Sequence, residues 1–358
     1  VYIRTLSKEM IINVLLNIGK KPSGASRPIV EFCNRLLPSH DIVIYKGYNP
    51  NKTGPEYAIR GFFGFLLKGK RYVPAWMDCK VPVIIIPEYK ERWIRSADIT
   101  FFRSANLIDE VSSWGREKGI KVMRVSNIYM IKEQRNIPKN IVFIPSSTMV
   151  YEKLREIYPG HRIYRVGNGV DCDFFSPGER KYEKPESVGM VFYSGKNATH
   201  KGMDIGFDVM KKINKRFPEI RFIVAGLKKD GYIPDFIEFI NGRNSENMRL
   251  FYRKTDILLF PSFEDASPNP PMEAMACGCA LVTTDVGGIR DFARQNESAL
   301  ICKPGDVDGL TESITYLIEN PDIWKNIAFN GCKEIRKFDY SNQTRILENI
   351  FYEILSTS

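Results

Sequence analysis

Two carboxylates eight positions apart, Asp265 and Glu273, and two lysines five apart, Lys196 and Lys201, are the side chains best suited by type and spacing to do chemistry. Carboxylates accept hydrogen bonds from sugar-like hydroxyls. Ammonium groups stabilise the negative charge of a bound anion. The acids sit in the stretch Pro261 to Gly288, PSFEDASPNPPMEAMACGCALVTTDVGG. Ahead of the loop, the apolar run from Ile257 to Phe260 reads as a buried parallel strand. Glu273-Ala-Met-Ala-Cys-Gly278 reads as the opening of a helix, and Ala280 to Asp285 as a second strand before a Gly287-Gly288 turn. Strand, loop, helix, strand is a βαβ unit, and such units bind ligands at the carboxyl ends of their strands. The helix N-terminus there offers unpaired N–H groups to an anion such as phosphate. The plainer alternative is an ordinary strand–loop–helix with incidental acids.

The lysines belong to a second motif, Val191-Phe-Tyr-Ser-Gly195-Lys196-Asn-Ala-Thr-His-Lys201-Gly202, where a strand ends at Gly195 and a loop leads into a helix. A solvated lysine pair is common on protein surfaces, so the motif gains meaning only beside Glu273. A third segment is Asn168-Gly-Val-Asp171-Cys-Asp173-Phe-Phe175-Ser-Pro177. Asp171 and Asp173 have the spacing of a metal-binding pair, but their linker-like setting favours a structural role. A fourth, Phe338-Asp-Tyr-Ser341, precedes an apolar-periodic tail to Leu355.

Together, and in this order, these segments resemble the retaining glycosyltransferases of family 4. The resemblance is good from about Ile141 onward and thin in the first third. It implies an α/β chain of the GT-B fold: two Rossmann-like, doubly wound parallel-sheet domains facing a cleft, with a C-terminal helix returning to the first. Glu273 matches the second glutamate of the family's E-x7-E signature, and Asp265 stands where the first glutamate is usual, one methylene shorter in reach. Lys196 stands where the family has arginine, so charge is kept but the bidentate fork is lost. Ala266-Ser267-Pro268-Asn269 replaces the usual glycines, and Pro268 has no N–H to donate.

The implied reaction is sugar transfer from a nucleoside-diphosphate sugar, uridine- or guanosine-linked, to a glycan or lipid-linked acceptor. Lys196 and Lys201, with Gly195 in their loop, would hold the diphosphate. The amides of Ser267, Asn269 and Met272 would be the neutral donors, Glu273 the ribose ligand, and Asp265 the partner of a donor-sugar hydroxyl. Retention through a front-face ion pair comes from the family, since a double displacement needs a carboxylate nucleophile and none can be nominated here. No metal and no further cofactor is expected.

These groups need a scaffold, and strands and helices alternate as one would. Ile11–Asn17, Asp41–Tyr45, Val83–Ile86, Ile99–Phe102, Lys121–Val125 and Ile141–Ile144 read as strands, with a helix from about Pro28 to Leu37. The loop Gly24-Ala25-Ser26 after the first strand is a candidate acceptor or phosphate loop, or equally a plain connection. The charged stretch 176–186 reads as a linker. Beyond it come a strand at Gly189–Tyr193, a helix at Met203–Arg216, a strand at Ile220–Ala225 and a helix at Glu246–Arg253, then the signature unit. The expected domains are 1–175 for the acceptor, 187–337 for the donor, and 338–358 packing back on the first.

A length of 358 residues suits two domains with separate cores. Residues 1–170 hold 28 Lys and Arg against 14 Asp and Glu, and the remainder 24 against 28, giving the net +10. A basic first half predicts anionic partners: acidic headgroups, lipid pyrophosphates or charged glycans. No zinc-finger, KH or RNP pattern supports nucleic acid. Seven scattered cysteines without a framework predict reduced thiols and a cytoplasmic protein. The three histidines are dispersed, which argues against zinc. No apolar run reaches the roughly 18–20 residues of a membrane span, and no leader pattern opens the chain. The expected location is the cytoplasm, peripheral at the membrane face. The segment Arg60 to Tyr72, three phenylalanines among cations, reads as an interfacial patch or as a core element with a basic end. Two other function classes stay open: a nucleotide-sugar epimerase, which would turn over donor without acceptor, and an inactive nucleotide-sugar-binding protein.

Overall fold

The computed structural model describes residues 9–19, 24, 26–47, 77–131, 136–195, 197–229 and 232–357. Lys196, Ala25 and the Arg60–Tyr72 segment lie outside the described residues. The chain divides into two compact units, residues 1–167 with 343–358, and residues 168–342.

In the first unit the strands are β1 (Ile11–Leu15), β2 (Asp41–Lys46), β3 (Val83–Ile85), β4 (Ile99–Phe102), β5 (Ile120–Val125) and β6 (Ile141–Pro145). They form one parallel sheet in the order β3-β2-β1-β4-β5-β6. Nearly every residue of β1, β4 and β6 is buried, as a sheet covered on both faces demands. Helix α1 (Arg27–Leu36) follows β1 and starts with Pro28, whose missing N–H costs nothing in a first turn. It buries Ile29, Val30, Phe32, Cys33 and Leu36. Short α2 (Ile108–Ser112) lies between β4 and β5, and α3 (Thr148–Ile157) follows β6.

In the second unit the strands are β7 (Ser187–Phe192), β8 (Arg221–Gly226), β9 (Ile237–Asn241), β10 (Ile257–Phe260), β11 (Ala280–Thr284) and β12 (Ala299–Cys302). Their order is β12-β11-β10-β7-β8-β9, again all parallel. Each sheet is therefore the 3-2-1-4-5-6 arrangement of a doubly wound domain. The helices here are α4 (Asn197–His200), α5 (Met203–Arg216), α6 (Ser245–Lys254), α7 (Asn269–Ala276), α8 (Ile289–Phe292), α9 (Val307–Glu319) and α10 (Pro321–Ile335). One core gathers Met190, Phe207, Leu259 and Val282 around the fully buried Trp324.

Helix α11 (Tyr340–Ser356) ends the chain, and its residues from Gln343 onward belong to the first unit. Phe351 meets Phe101 of β4 edge to face, with centroids 5.8 Å apart. Glu348 sits 2.8 Å from His40 Nε2, while His40 Nδ1 accepts from the Met10 amide at 3.2 Å. That acceptor role fixes the tautomer, so Nε2 carries the hydrogen donated to Glu348.

The stretch read as a linker, 176–186, belongs to the second unit instead, largely exposed but anchored to it by two side chains. Arg180 reaches Asp256 at 2.7 Å and donates to the carbonyls of Tyr252 and Cys277. Tyr182 lies against Phe329 and Trp324, with centroids 4.5 and 5.5 Å away. Charged composition looked solvated, but a guanidinium whose donors all find oxygen acceptors can be buried.

Candidate functional site

β7 and β10 are hydrogen-bonded neighbours, pairing Val188 with Ile257. From them the chain winds in opposite directions, so their carboxyl ends form the topological switch point of the second sheet. The loops that leave there are residues 193–202 and 261–268. They are stitched together: His200 O accepts from the Phe263 amide at 2.9 Å and from Ser262 Oγ at 3.2 Å. Gly202 enters α5 with φ +65°, and a Cβ there would stand 2.0 Å from Pro261 O. Only glycine permits that conformation and that approach together.

This stitching brings Lys201 to the β10 loop. Its Nζ sits 2.6 Å from Asp265 Oδ2 and 3.1 Å from Glu264 O, and 5.7 Å over the Tyr193 ring. Asp265 is fixed from its other side, since Oδ1 accepts from the Ser267 amide at 3.2 Å. The turn after β11 presses on it too, because a Cβ on Gly287, at φ +50°, would lie 1.7 Å from Asp265 O.

Glu273 is buried on α7, and its Oε2 accepts from Tyr252 Oη at 2.8 Å. Burial pushes the Tyr252 phenol well above its ordinary range, and the charge of Glu273 adds to this. The Tyr193 phenol is also pushed up, first by burial, then by Asp265 and by Glu273. The Tyr193 ring lies under Lys201, and α7, which carries Glu273, begins directly after the loop that holds Asp265.

Helix α7 starts at Asn269, four residues before Glu273, so the acid expected to open the helix stands one turn inside it. The cause is Pro270 and Pro271, which a first turn tolerates and a sequence pattern reads as loop. Those prolines also strip the first turn of two donors, leaving Asn269 and Met272 with amide N–H groups. Extended Pro268 is the N-cap and supplies no side-chain cap. The Ser267 amide, nominated as a third donor, points at Asp265 instead. Met272 itself is buried.

Asn168 was read only as part of a junction motif. Its Nδ2 donates to Ser267 O and Asn269 Oδ1, both at 3.1 Å, and ties down the loop that carries Asp265. Tyr193 and Tyr252 were not singled out at all. Tyr193 carried a signal, its place immediately after a strand, whereas Tyr252 lies on α6 far from any motif. Gly195 takes φ +65° and is exposed, as a loop glycine serving a ligand would be. Asp171 Oδ1 accepts from the Phe174 amide at 2.9 Å, a local turn contact, and Asp173 is exposed. In the first unit Ser26 is the buried N-cap of α1, and Gly24 is an exposed turn residue.

Among the described residues no group of three His, Cys, Asp or Glu is arranged to hold a metal ion. All seven cysteines are free thiols, and burial raises those of Cys79 to about 11 and of Cys172 and Cys279 to about 12. Such thiols are protonated at neutral pH and weak as nucleophiles. No helix among the described residues is long and apolar enough to cross a membrane.

Comparison with known proteins gives a family match for part of the chain. Residues 177–334 match the family described as Glycosyl transferases group 1. An uncharacterized glycosyltransferase of Methanocaldococcus jannaschii is 24% identical over 166 residues, 45% of this chain and 47% of that protein. The phosphatidyl-myo-inositol mannosyltransferase of Mycobacterium leprae is 22% identical over 208 residues, 56% of this chain and 55% of that protein. The chain thus spans about half the length of these curated relatives. Among solved structures, sucrose-phosphate synthase from Thermosynechococcus elongatus aligns with a TM-score of 0.74 at 12% identity, over 98% of this chain and all of that one. A glycosyltransferase from Rickettsia africae gives 0.71 at 17%, over 98% and 100%. Anabaena Alr3699/HepE in complex with UDP-glucose gives 0.67 at 13%, over 96% and 99%. The fold is GT-B: two six-stranded parallel sheets with flanking helices. The group 1 glycosyl transferase match falls on the second unit, the one that carries the site.

Proposed function

We propose that the protein is a retaining glycosyltransferase that moves a sugar, of the hexosyl class, from a nucleoside-diphosphate sugar to a glycan or lipid-linked acceptor. The observation that carries this reading is the pairing of Lys201 with Asp265 over Tyr193 at the switch point of the second sheet, with Glu273 on the helix that follows the same loop. Glu273, held by Tyr252, is suited to accept from the ribose hydroxyls. Asp265 is suited to accept from a hydroxyl of the donor sugar. Lys201 faces the diphosphate, with Lys196 and Gly195 on the same loop and the Asn269 and Met272 amides at the mouth of α7.

As the anomeric bond lengthens, negative charge accumulates on the leaving diphosphate. Fixed cations and N–H groups lower the barrier by meeting that charge where it develops. In the ligand-free site Asp265 holds Lys201, so an arriving diphosphate exchanges one anion for another and Asp265 turns to the sugar. The leaving phosphate is suited to take the acceptor's proton on the same face, which retains configuration and requires neither a metal nor a carboxylate nucleophile. The excess of cations in residues 1–170 supports work at the cytoplasmic face of an anionic membrane, in glycan or glycolipid synthesis.

The test is a panel of uridine- and guanosine-linked sugars titrated calorimetrically and assayed for nucleotide release with and without acceptors. One nucleotide sugar is expected to bind and be consumed faster with acceptor. Binding without turnover across the panel would refute transfer, and turnover that ignores acceptor would favour epimerisation.

A further inference from the structure

The first sheet has a switch point as well, between β1 and β4. Leu15 pairs with Tyr45 and with Phe102, and Phe102 pairs with Met123. One position further along these four strands stand Lys46, Leu16, Arg103 and Arg124, so three of four places in that row are cationic. Two of the cations have oxygen partners. Lys46 Nζ donates to Ile18 O at 2.6 Å. Arg124, fully buried, donates to the carbonyls of Val166 and Gly167 and lies 5.6 Å over Phe32 of α1.

Arg103 differs. Its Nε is buried and meets no hydrogen-bond acceptor, and no carboxylate among the described residues pairs with it. The residue as a whole is only partly covered, so its guanidinium edge is reachable. Burial alone acts on its pKa, downward, with no anion to oppose it. A guanidinium stays charged in proteins, and a charge placed at a sheet's ligand-binding end without a counter-charge is built for an anion that arrives.

We propose that Arg103 receives an anionic phosphate-type group, through its terminal nitrogens, at the carboxyl end of the first sheet. Identifying the bearer as the acceptor rests on the transfer reaction proposed above; the anion site itself does not. Phosphate fits the guanidinium fork, which grips two oxygens of one group. Its source is either a soluble phosphate ester or a lipid headgroup.

The experiment measures binding of glycerol 3-phosphate, with glycerol and matched NaCl as controls, and of vesicles with and without phosphatidic acid. Wild type and the variants Arg103→Met and Arg103→Lys are compared. The wild type is expected to bind the phosphate ester and not glycerol, or to bind only the phosphatidic acid vesicles, which identifies the source as soluble or lipid. Arg103→Met is expected to raise the melting temperature of the ligand-free protein and to lose the phosphate binding. Arg103→Lys, which keeps charge without the fork, is expected to weaken it about tenfold. Equal phosphate affinity in wild type and both variants, or no binding of either probe by wild type, overturns the proposal. Nucleotide-sugar affinity, read on the same samples, should not change in Arg103→Met. If no nucleotide sugar binds wild type while Arg103-dependent phosphate binding persists, the transfer reading falls and the anion site stands.

Discussion

The two sheets share one strand order and one direction, yet their switch points are furnished in opposite ways. In the second, three charged groups have partners: Lys201 holds Asp265, Ser267 caps the same acid, and Tyr252 holds Glu273. In the first, Arg103 stands beside two satisfied cations and has no counter-charge among the described residues. A common topology thus fixes where ligands go, while loop residues decide what they are. A site that satisfies its own charges binds by exchange. A site left with an uncompensated charge binds by completion.

The largest effect expected is on the first unit. Phe351→Ala should destabilise it by about 3–5 kcal/mol, because a buried ring that meets Phe101 leaves a cavity. Unfolding followed by near-UV circular dichroism checks this, and nucleotide binding in the second unit should survive conditions that melt the first. Loss of both at once would break the contrast between the units. Lys201→Ala comes next: removing a cation from the developing diphosphate charge should cost about 2–4 kcal/mol of transition-state stabilisation, read as kcat in the transfer assay. A near-normal rate would mean that Asp265, not a substrate, is the partner Lys201 exists for.

Gly202→Ala should destabilise the second unit by about 1–3 kcal/mol, since it adds a clash with Pro261 O to a left-handed backbone; thermal denaturation measures it. Tyr252→Phe removes a bond to a buried carboxylate and should weaken nucleotide-sugar binding by about 1.5–3 kcal/mol in calorimetry. The smallest effect is at Asp285, whose pKa is lowered by the paired hydrogen bonds from Arg290. A depressed acid contributes stability above its unfolded pKa and loses it as pH falls through the folded one. Arg290→Gln should therefore cost less than about 1 kcal/mol at pH 7, this pair being largely exposed. The difference should vanish in acid, and an undiminished difference at pH 2 would assign the effect elsewhere.

What the sequence made legible follows the range of the forces involved. Apolar runs such as Ile99–Phe102 and Ile257–Phe260 are strands because burial on both faces leaves a purely local signature. The βαβ unit around Glu273 and the helix Met203–Arg216 were readable for the same reason. β9 was not: Ile237–Asn241 is an edge strand, partly exposed, and its pairing with β8 is what makes it one. The start of α7 was hidden by two prolines, and the 176–186 stretch by charges whose acceptors come from some seventy to a hundred residues later in the chain. In the site, spacing brought out Lys201, Asp265 and Glu273. The residues that hold them were harder to read: Asn168 acts 99 residues away on Ser267, Tyr252 has no motif of its own, and Tyr193 is an unremarked member of the lysine motif.

Because residues 343–358 complete the first unit, that unit's two parts flank the whole of the second in the order of synthesis. A ribosome makes the second unit's chain entirely before it delivers Glu348 to His40 or Phe351 to Phe101. The first unit is thus begun before the second and finished after it, with its β4 face waiting uncovered until the whole of the second has emerged. Its maturation is timed by the arrival of the tail, and the second unit is the one free to fold first.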